Sequence, residues 1–397
     1  MICLVGLFWL LQSLFLPAWA DAADQNTPSN GRAIVPLLNF TTDRGLGYGA
    51  YGAWFVNGPD VPPEAPYSLQ VGAQFYRTTG GYQDHKLVFD FPALSGGRLR
   101  AGLDIGWERW DQACYFGQGN RLPRTRPENT PKNRYAFGLN SVRSVSNVRW
   151  QLLDDWHVFG GLLVRTAAIS VYGESLLADD APTGTEGGVL AQVYGGLMFD
   201  TRDHEFAPRS GLWTELSVRT AQHWMGSTWR MWGWNLTHRQ YWSLGSPRWV
   251  LAFRGAVDQQ RGQTPFFHQI VMGGSEWVDM GGPLAMRGLP IGRYRGEWTV
   301  YGDAELRWEM ASFSVRRAGF RLFGAPFVSG ARIIEPGEQD GGLHPHGGVG
   351  AGLRLLYNEV LQARFDVAAG REEFQAPNGG IESEWIPAFY LAFNMPY

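Results

Sequence analysis

The sequence predicts an all-β fold, a sixteen-stranded transmembrane antiparallel barrel. The first supporting observation is composition: the 397 residues include 52 glycines, 18 tryptophans, 15 tyrosines and 23 phenylalanines, with 18% charged residues. This is typical of repeated β architecture rather than of a helical or α/β enzyme. The second observation is that long segments alternate polar and apolar residues with the period of a strand. The third is that the connections between these segments alternate between short and long.

The N-terminus predicts export. An apolar run at 4–16 is followed by Pro17 and by the small-x-small triplet AWA at 18–20, a pattern that favours signal cleavage after Ala20. A membrane anchor is the alternative, but the run is too short to cross about 30 Å of hydrocarbon as a helix. Cleavage leaves Cys114 as the remaining cysteine, so no intramolecular disulfide is expected. No later apolar run approaches the roughly 20 residues of a spanning helix, so a membrane crossing would use strands.

Alternation is clearest in VYGDAELRWEM, residues 300–310. Every second residue from Asp303 to Glu309 is charged, whereas those from Ala304 to Met310 that lie between them are apolar. The stretches at 212–219 and 361–370 repeat the pattern. Each such strand therefore has one polar face and one face compatible with lipid. A soluble β-sandwich alternates too, so the length and spacing of the segments decide between the two.

We interpret sixteen segments as strands, most of them long enough to cross a bilayer at a tilt. They are residues 33–41, 46–56, 67–77, 83–91, 98–109, 134–152, 156–172, 189–200, 211–221, 229–243, 249–260, 298–310, 318–330, 346–357, 361–370 and 384–395. Short connections are expected near 92–97, 153–155, 244–248, 311–317 and 358–360, and long ones near 110–133, 173–188, 261–297, 331–345 and 371–383. This pattern is the signature of an outer-membrane barrel whose long loops are extracellular when the N-terminus is periplasmic.

The topology divides the chain into three parts. Residues 1–20 are predicted to be a signal peptide, 21–32 a short periplasmic N-terminal segment and 33–397 the outer-membrane β-barrel. Two aromatic stretches, YFG at 115–117 and WRMWGW at 229–234, are candidates for the girdles at the membrane interfaces.

Four motifs together resemble a known family. They are YFGQGN at 115–120, FDTRDHEFAPRSGLWTELSVR at 199–219, MRGLPIGRYRG at 286–296 and GAGLRLLYNEVLQARFDVAAGRE at 350–372. In this order and spacing they resemble the bacterial surface antigen barrel, the membrane domain of the BamA/TamA outer-membrane assembly and translocation superfamily. The resemblance covers essentially the whole mature chain and implies a location in the bacterial cell outer membrane.

The resemblance implies that the long sixth extracellular loop folds back into the barrel lumen. In the family, the loop tip has a Val-Arg-Gly-Phe/Tyr type motif whose arginine contacts acidic residues of the inner wall; here the matching stretch is 286–289, with Arg287 and Gly288 kept. We expect Arg287 to pair with Asp366, with Glu305 as a second candidate. A guanidinium can bridge carboxylates bidentately where the dielectric is lower than in bulk water. A solvated loop arginine is the alternative.

The rest of the loop motif consists of Pro290, Gly292 and Arg293. Glycines let the backbone turn tightly and approach the wall where a larger side chain would clash. We expect Arg293 and Arg295 to line the lumen on the return path.

Family members that assemble or secrete proteins carry periplasmic POTRA domains, and some relatives carry a patatin-type lipase there. Residues 21–32 are too few for a folded module, so a single-domain form that lacks POTRA domains is expected. The resemblance implies a role in outer-membrane biogenesis, by insertion or translocation of proteins or lipids through a weakly paired seam between residues 33–41 and 384–395. A passive channel or structural barrel is the alternative.

Expected partners are outer-membrane lipid and lipopolysaccharide, with client outer-membrane proteins or a separate periplasmic receptor as further candidates. The formal net charge of −3 gives no reason to expect nucleic acid. The basic run at 121–134 is either a set of solvated loop charges or a contact for lipopolysaccharide phosphates.

The sequence offers no recognisable catalytic motif. The sequence contains neither a Gly-x-Ser-x-Gly elbow nor a Gly-x-x-x-x-Gly-Lys-Ser/Thr loop, so neither enzymatic activity nor a cofactor is predicted. His344 and His346 lack carboxylate or cysteine neighbours, so no metal site is predicted either. The charged cluster from Asp200 to Glu205 is interpreted as a turn held by Asp and Arg hydrogen bonds.

Overall fold

Backbone pairing joins the alternating segments into one closed antiparallel barrel. The computed structural model describes residues 30–58, 67–119, 133–205, 207–246, 248–315, 318–334, 346–357, 361–375 and 381–394. Its strands are β1 (Gly31–Thr41), β2 (Gly45–Val56), β3 (Leu69–Thr78), β4 (Tyr82–Leu94), β5 (Leu99–Cys114), β6 (Ala136–Gln151), β7 (Trp156–Val171), β8 (Gly188–Asp200), β9 (Gly211–Ala221), β10 (Met231–Ser243), β11 (Trp249–Gly262), β12 (Val271–Met272), β13 (Val278–Asp279), β14 (Trp298–Val315), β15 (Ala318–Ile334), β16 (His346–Tyr357), β17 (Leu361–Gln375) and β18 (Ile381–Asn394).

Sixteen of these strands form the barrel in chain order, and β18 pairs back to β1. The two-residue strands β12 and β13 pair only with each other, within the connection from β11 to β14. The predicted fold class and strand number are therefore confirmed. Two short helical turns, α1 (Leu176–Asp180) and a 3-10 turn (His223–Met225), lie in other connections. Within the described residues, no helix is both long and apolar enough to cross a membrane.

Several strands run further than predicted. Residues 311–315, predicted as part of a turn, continue β14, and residues 331–334 and 371–375, predicted as loop, continue β15 and β17. In β14 a register shift between Glu309 and Ala311 interrupts the side-chain alternation while the ladder continues beyond it. A bulge of this kind hides a strand from pattern analysis because pairing depends on the backbone. The first strand begins at Gly31, inside the segment predicted as 21–32.

The two faces of the barrel differ as the alternation predicts. In β14, the outward Trp308 is 41% exposed, whereas Glu305 on the inner face is 7% exposed. Trp232 on β10 faces outward at 49% exposure, while Trp229, just before that strand, is buried. An apolar outer face and a polar inner face fit a barrel that crosses a membrane.

One aromatic girdle prediction is wrong. Tyr115 is 1% exposed and packs edge-on against Phe266, with 5.4 Å between the ring centroids. Phe266 belongs to the connection between β11 and β14, and Phe137 and Leu177 join the same buried cluster. Because Tyr115 lies at the end of β5 on the inner face, YFG closes the extracellular end of the lumen instead of meeting lipid.

The turn between β8 and β9 has the predicted hydrogen bonds. The Arg202 guanidinium donates to both carboxylate oxygens of Asp200, each at 2.8 Å. Asp203 accepts from the backbone N–H groups of Arg209 and Ser210 at 2.9 and 3.2 Å. The charged cluster therefore stabilises a turn.

Candidate functional site

The connection from β11 to β14, residues 263–297, packs against the inner wall of the barrel, and we call it the inner loop. Its first part is attached to β9 and β11: the N–H of Ser275 donates to Glu215 at 2.7 Å, and the N–H of Gly273 donates to Asp258 at 2.9 Å. Both carboxylates are buried. The inner loop thus supplies donors to two buried wall carboxylates, and Asp258 also accepts from Arg219 on β9.

Arg287 lies in the second half of the inner loop and is 5% exposed. Its guanidinium donates to Glu305 at 2.8 Å and to Asp303 at 3.0 Å, both on the inner face of β14. Asp366 on β17 is the third carboxylate, at 3.7 Å. The guanidinium also lies 3.4 Å from the ring centroid of Phe327, a cation–π distance.

The order of these distances differs from the sequence-based expectation. Asp366 was the first candidate and Glu305 the second, but Glu305 is nearer, and Asp303 was not selected at all. Asp366 is already engaged, because Arg354 and Arg364 each donate to it at 2.5 Å. The alternation of β14 did place Asp303 on the same face as Glu305, and that was the available signal.

The cluster around Arg287 is a charge network rather than a single pair. Glu305 also accepts from Arg354 at 3.0 Å and from Arg307 at 3.1 Å. Burial alone would lower the pKa of Arg287, but the nearby Glu305, with Asp303 and Asp366, outweighs it and raises that pKa above its ordinary value. Arg287 is therefore held charged, and the two hydrogen bonds of its fork fix the loop to β14.

Gly288 brings the loop backbone against the wall. Its φ of 104° is rare for any residue with a side chain, and a Cβ there would collide with the backbone of Gly370 on β17. Its N–H donates to the hydroxyl of Tyr390 on β18 at 3.0 Å. The arginine of the motif therefore hydrogen-bonds to β14 and the glycine to β18, and both lie against β17.

Substituting Gly288 with alanine should lower the unfolding temperature of the barrel markedly, because it adds both backbone strain and a steric clash. Gly226→Ala is the matched control, since Gly226 also has a positive φ, of 84°, but a Cβ there would meet open space. The difference between the two variants isolates the contact with β17. Equal losses in a heat-modifiability gel would mean that the close approach contributes nothing.

The remaining motif residues continue the inner loop along the wall. Arg293 forms an ion pair with Glu372 on β17. The N–H of Gly292 donates to the Met280 carbonyl at 2.8 Å with φ at 68°, and the Pro290 carbonyl accepts from the Arg293 N–H at 3.1 Å. The ion pair is a second attachment to β17, whereas the two backbone hydrogen bonds hold the loop to itself.

Arg295 lies deeper and has a different role. Its guanidinium donates to the carbonyls of Gly292 and Cys114 at 2.7 and 2.5 Å, and burial lowers its pKa to about 10. The carbonyl of Arg295 accepts from the N–H of Gly119 at 2.6 Å. The YFGQGN stretch therefore fastens the connection after β5 to the inner loop. Both motifs carried the family resemblance, but neither predicted this contact.

The inner loop also bridges the junction of the first and last strands. Among the described residues, β1 and β18 pair at Phe40–Leu391 and Thr41–Tyr390. Tyr390 is the residue that accepts from Gly288, and Asp43, just after β1, accepts from the N–H of Ile291 at 3.2 Å. The loop thus contacts both sides of the seam.

A cavity of about 540 Å³ remains between the inner loop and the wall. Residues such as Val250, Leu356 and Arg321 place it at the end of the barrel that has the short turns. Among the described residues, its lining contains ten arginines and five carboxylates. The opposite end is filled by the aromatic cluster around Tyr115 and Phe266. The lumen is therefore closed towards the long loops.

Comparison with known proteins identifies the family. The profile of the Omp85 superfamily domain matches residues 68–382. The chain belongs to the Omp85 superfamily. None of the curated protein sequences matches it.

Solved structures show the same fold for this Omp85 barrel. BamA from Haemophilus ducreyi lacking POTRA domains 1–3 superposes with a TM-score of 0.59 at 14% identity, covering 92% of this chain and 71% of that one. CdiB from Escherichia coli gives 0.57 at 12% identity, with 91% and 63% covered. CdiB from Acinetobacter baumannii gives 0.51 at 13% identity, with 92% and 60% covered. The chain thus spans between 60 and 71% of the length of these relatives. As a barrel of the Omp85 superfamily, it is a bacterial outer-membrane protein.

Several predicted features lie outside the described residues. They include the signal peptide at 1–20, the greater part of the periplasmic segment at 21–32, the greater part of the basic run at 121–134, and His344. His346 is described and stacks on Tyr294 of the inner loop, with ring centroids 3.5 Å apart.

Proposed function

We propose that this Omp85 barrel acts in outer-membrane biogenesis by handling polypeptide or lipid at the seam between β1 and β18. The seam is the observation that supports this proposal. In the described residues β1 and β18 pair at two positions, whereas β1 and β2 pair at eleven and β17 and β18 at fourteen. Fewer ladder hydrogen bonds mean a smaller free-energy cost of separation, and a free strand edge can template another strand.

The proposed clients are outer-membrane proteins, with lipid or lipopolysaccharide as the second class. A client strand would pair with the unpaired part of β18, while the polar lumen stays closed by the inner loop. We propose that no catalysis is involved and that a separate periplasmic receptor delivers the client. The predicted signal peptide would direct the chain to its membrane.

Photocrosslinking tests the seam directly. A benzophenone amino acid replaces Phe40 or Phe389, which face lipid beside the seam, or Val218 on β9 as the control at 63% exposure. We expect adducts with other outer-membrane proteins at the two seam positions and not at position 218. Equal capture at all three positions, or capture of none, would contradict a role for the seam.

A passive channel is the second candidate, and the lumenal cavity is the observation that favours it. Deleting residues 283–296 should raise bilayer conductance under either proposal, because it removes the loop that narrows the lumen. Conductance therefore does not distinguish a passive channel from a role in biogenesis. Client capture at the seam distinguishes the two, since a passive channel needs no partner there.

A further inference from the structure

Six arginines face the lumenal cavity from one side: Arg239, Arg254, Arg287, Arg307, Arg354 and Arg364. We call them the arginine wall. Among the described residues, the carboxylates within 4.0 Å of these guanidinium groups are four: Glu276, Asp303, Glu305 and Asp366. The arginine wall therefore has an excess of two positive charges.

Arg254 on β11 accounts for much of this excess. Within the part of the chain that the structure describes, it has neither a hydrogen bond nor an ion pair, and its Nε is buried without a partner. Its guanidinium lies 5.7 Å from the ring centroid of Tyr301, a weak contact. The buried Nε has no acceptor, which is unfavourable, while the residue is partly exposed and lines the cavity, where a ligand could reach it.

The neighbours of Arg254 do not relieve this cost. Directly across the ladder on β10 lies Arg239, which is paired with Glu276 of the inner loop. Directly across on β14 lies Asp303, but that carboxylate is bonded to Arg287 at 3.0 Å. Like charges opposite one another on a sheet are destabilising. An anion beside Arg254 would offset the repulsion that remains and give the free donors of Arg254 an acceptor.

The space beside them fits a small ligand. The cavity of about 540 Å³ lies within the usual range for small-molecule sites. Apolar side chains such as Val250, Leu284 and Phe323 line it together with the arginines. A charged group could thus be accommodated with a less polar body attached.

We propose that the cavity binds a phosphate group, held by Arg254 and Arg239 of the arginine wall. The guanidinium fork matches the paired oxygens of a phosphate, and a phosphate monoester has a charge of about −1.5 to −2 at neutral pH, close to the excess on the wall. The group is either free phosphate or the phosphate of a lipid headgroup. This inference goes beyond the proposed function, because it requires no opening of the seam.

The test measures unfolding temperature in an uncharged detergent as sodium phosphate replaces sodium chloride at constant ionic strength. We expect saturable stabilisation of the unmodified protein by phosphate. Arg254→Gln should weaken the apparent affinity about tenfold or more, as expected for loss of a charge-assisted bond. Arg261→Gln is the matched control, on the same strand but half-exposed outside the cavity, and should leave the affinity unchanged.

A second set of measurements distinguishes the sources of phosphate. Mixed micelles that contain phosphatidic acid are compared with phosphatidylcholine micelles. Stabilisation by inorganic phosphate indicates a free ligand, and stabilisation by phosphatidic acid alone indicates a lipid-borne one. Should Arg254→Gln fail to fold, Arg254→Lys retains the charge without the fork and should still weaken binding. Three outcomes would overturn the proposal: equal responses of all variants, a response to phosphate that does not saturate, or stabilisation by the carboxylate polyanion polyglutamate but not by phosphate.

Discussion

Replacing Arg287 with alanine should lower the unfolding temperature of the barrel more than removal of any other arginine of the inner loop. The change leaves Asp303 without its ion pair within the described residues and takes one of three donors from Glu305. Breaking a buried ion pair by deleting one partner typically costs about 3–5 kcal/mol, because the remaining charge stays buried. We expect the lower end of this range, since Arg254 lies across the ladder from Asp303 and can partly replace the lost charge.

Two comparisons make this expectation specific. Arg261→Ala removes a half-exposed arginine whose nearest carboxylate is 3.7 Å away, and it should change stability by less than about 0.5 kcal/mol. Arg287→Lys keeps the charge but cannot contact Asp303 and Glu305 through one planar fork. Its unfolding temperature should therefore lie between those of Arg287→Ala and Arg261→Ala. If Arg287→Ala unfolds at the same temperature as Arg261→Ala, the network around Glu305 does not hold the inner loop.

Double-mutant cycles would show which carboxylate contributes most to the stabilisation by Arg287. Glu305→Gln alone should be destabilising, because Arg287, Arg307 and Arg354 all donate to that carboxylate. In the Arg287→Ala background it should cost less than in the unmodified protein, since the strongest shared contact is already gone. A cycle with Asp366 should show weaker coupling, because its atoms lie 3.7 Å from Arg287 and two other arginines engage it.

The fold could be predicted from sequence because its causes are local. Alternation specifies which side chains of β14 face the lumen, and Glu305 was placed correctly by that rule alone. The strand ends could not be found in the same way, since the bulge after Glu309 breaks the alternation without ending the backbone pairing. Pairing partners and bulges depend on the neighbouring strand, which a single segment does not reveal.

The candidate site shows the same limit at the level of side chains. The motif suggested that Arg287 reaches a lumenal carboxylate, but the choice among Asp303, Glu305 and Asp366 depends on the three-dimensional path of the inner loop. The contacts of Tyr390 and Asp43 with the loop backbone were not anticipated, because they join residues more than 100 positions apart. Only the closed barrel brings them together.

These contacts bear on how the seam would open. Moving β18 away from the inner loop would break the Gly288–Tyr390 hydrogen bond. Moving the β1–β2 turn away would break the Ile291–Asp43 hydrogen bond. Phe389 also donates to Thr42 at 3.0 Å across the junction. The seam itself has few ladder hydrogen bonds. The inner loop adds contacts from inside the lumen, and these would have to break before the seam could open.

Sealing the seam with a disulfide should abolish client capture if the proposed function is correct. Phe40→Cys and Leu391→Cys place two thiols at a paired position of β1 and β18, in a Cys114→Ser background. Antiparallel pairs have Cα separations compatible with a disulfide. After oxidation we expect photoadducts at position 389 to disappear and to return on reduction.

The control links the same residue, Leu391 of β18, to the neighbouring strand on its other side, β17. Phe365→Cys with Leu391→Cys joins β17 to β18 at a paired position and leaves the seam free. Oxidation of this pair should leave the adducts at position 389 unchanged, because both strands already pair along most of their length. Adducts that persist with the seam sealed would exclude lateral opening as the mechanism, since the client would then reach position 389 without separation of β1 from β18. Loss of the adducts after oxidation of either cysteine pair would indicate instead that any disulfide that immobilises β18 prevents capture, whichever neighbouring strand it joins.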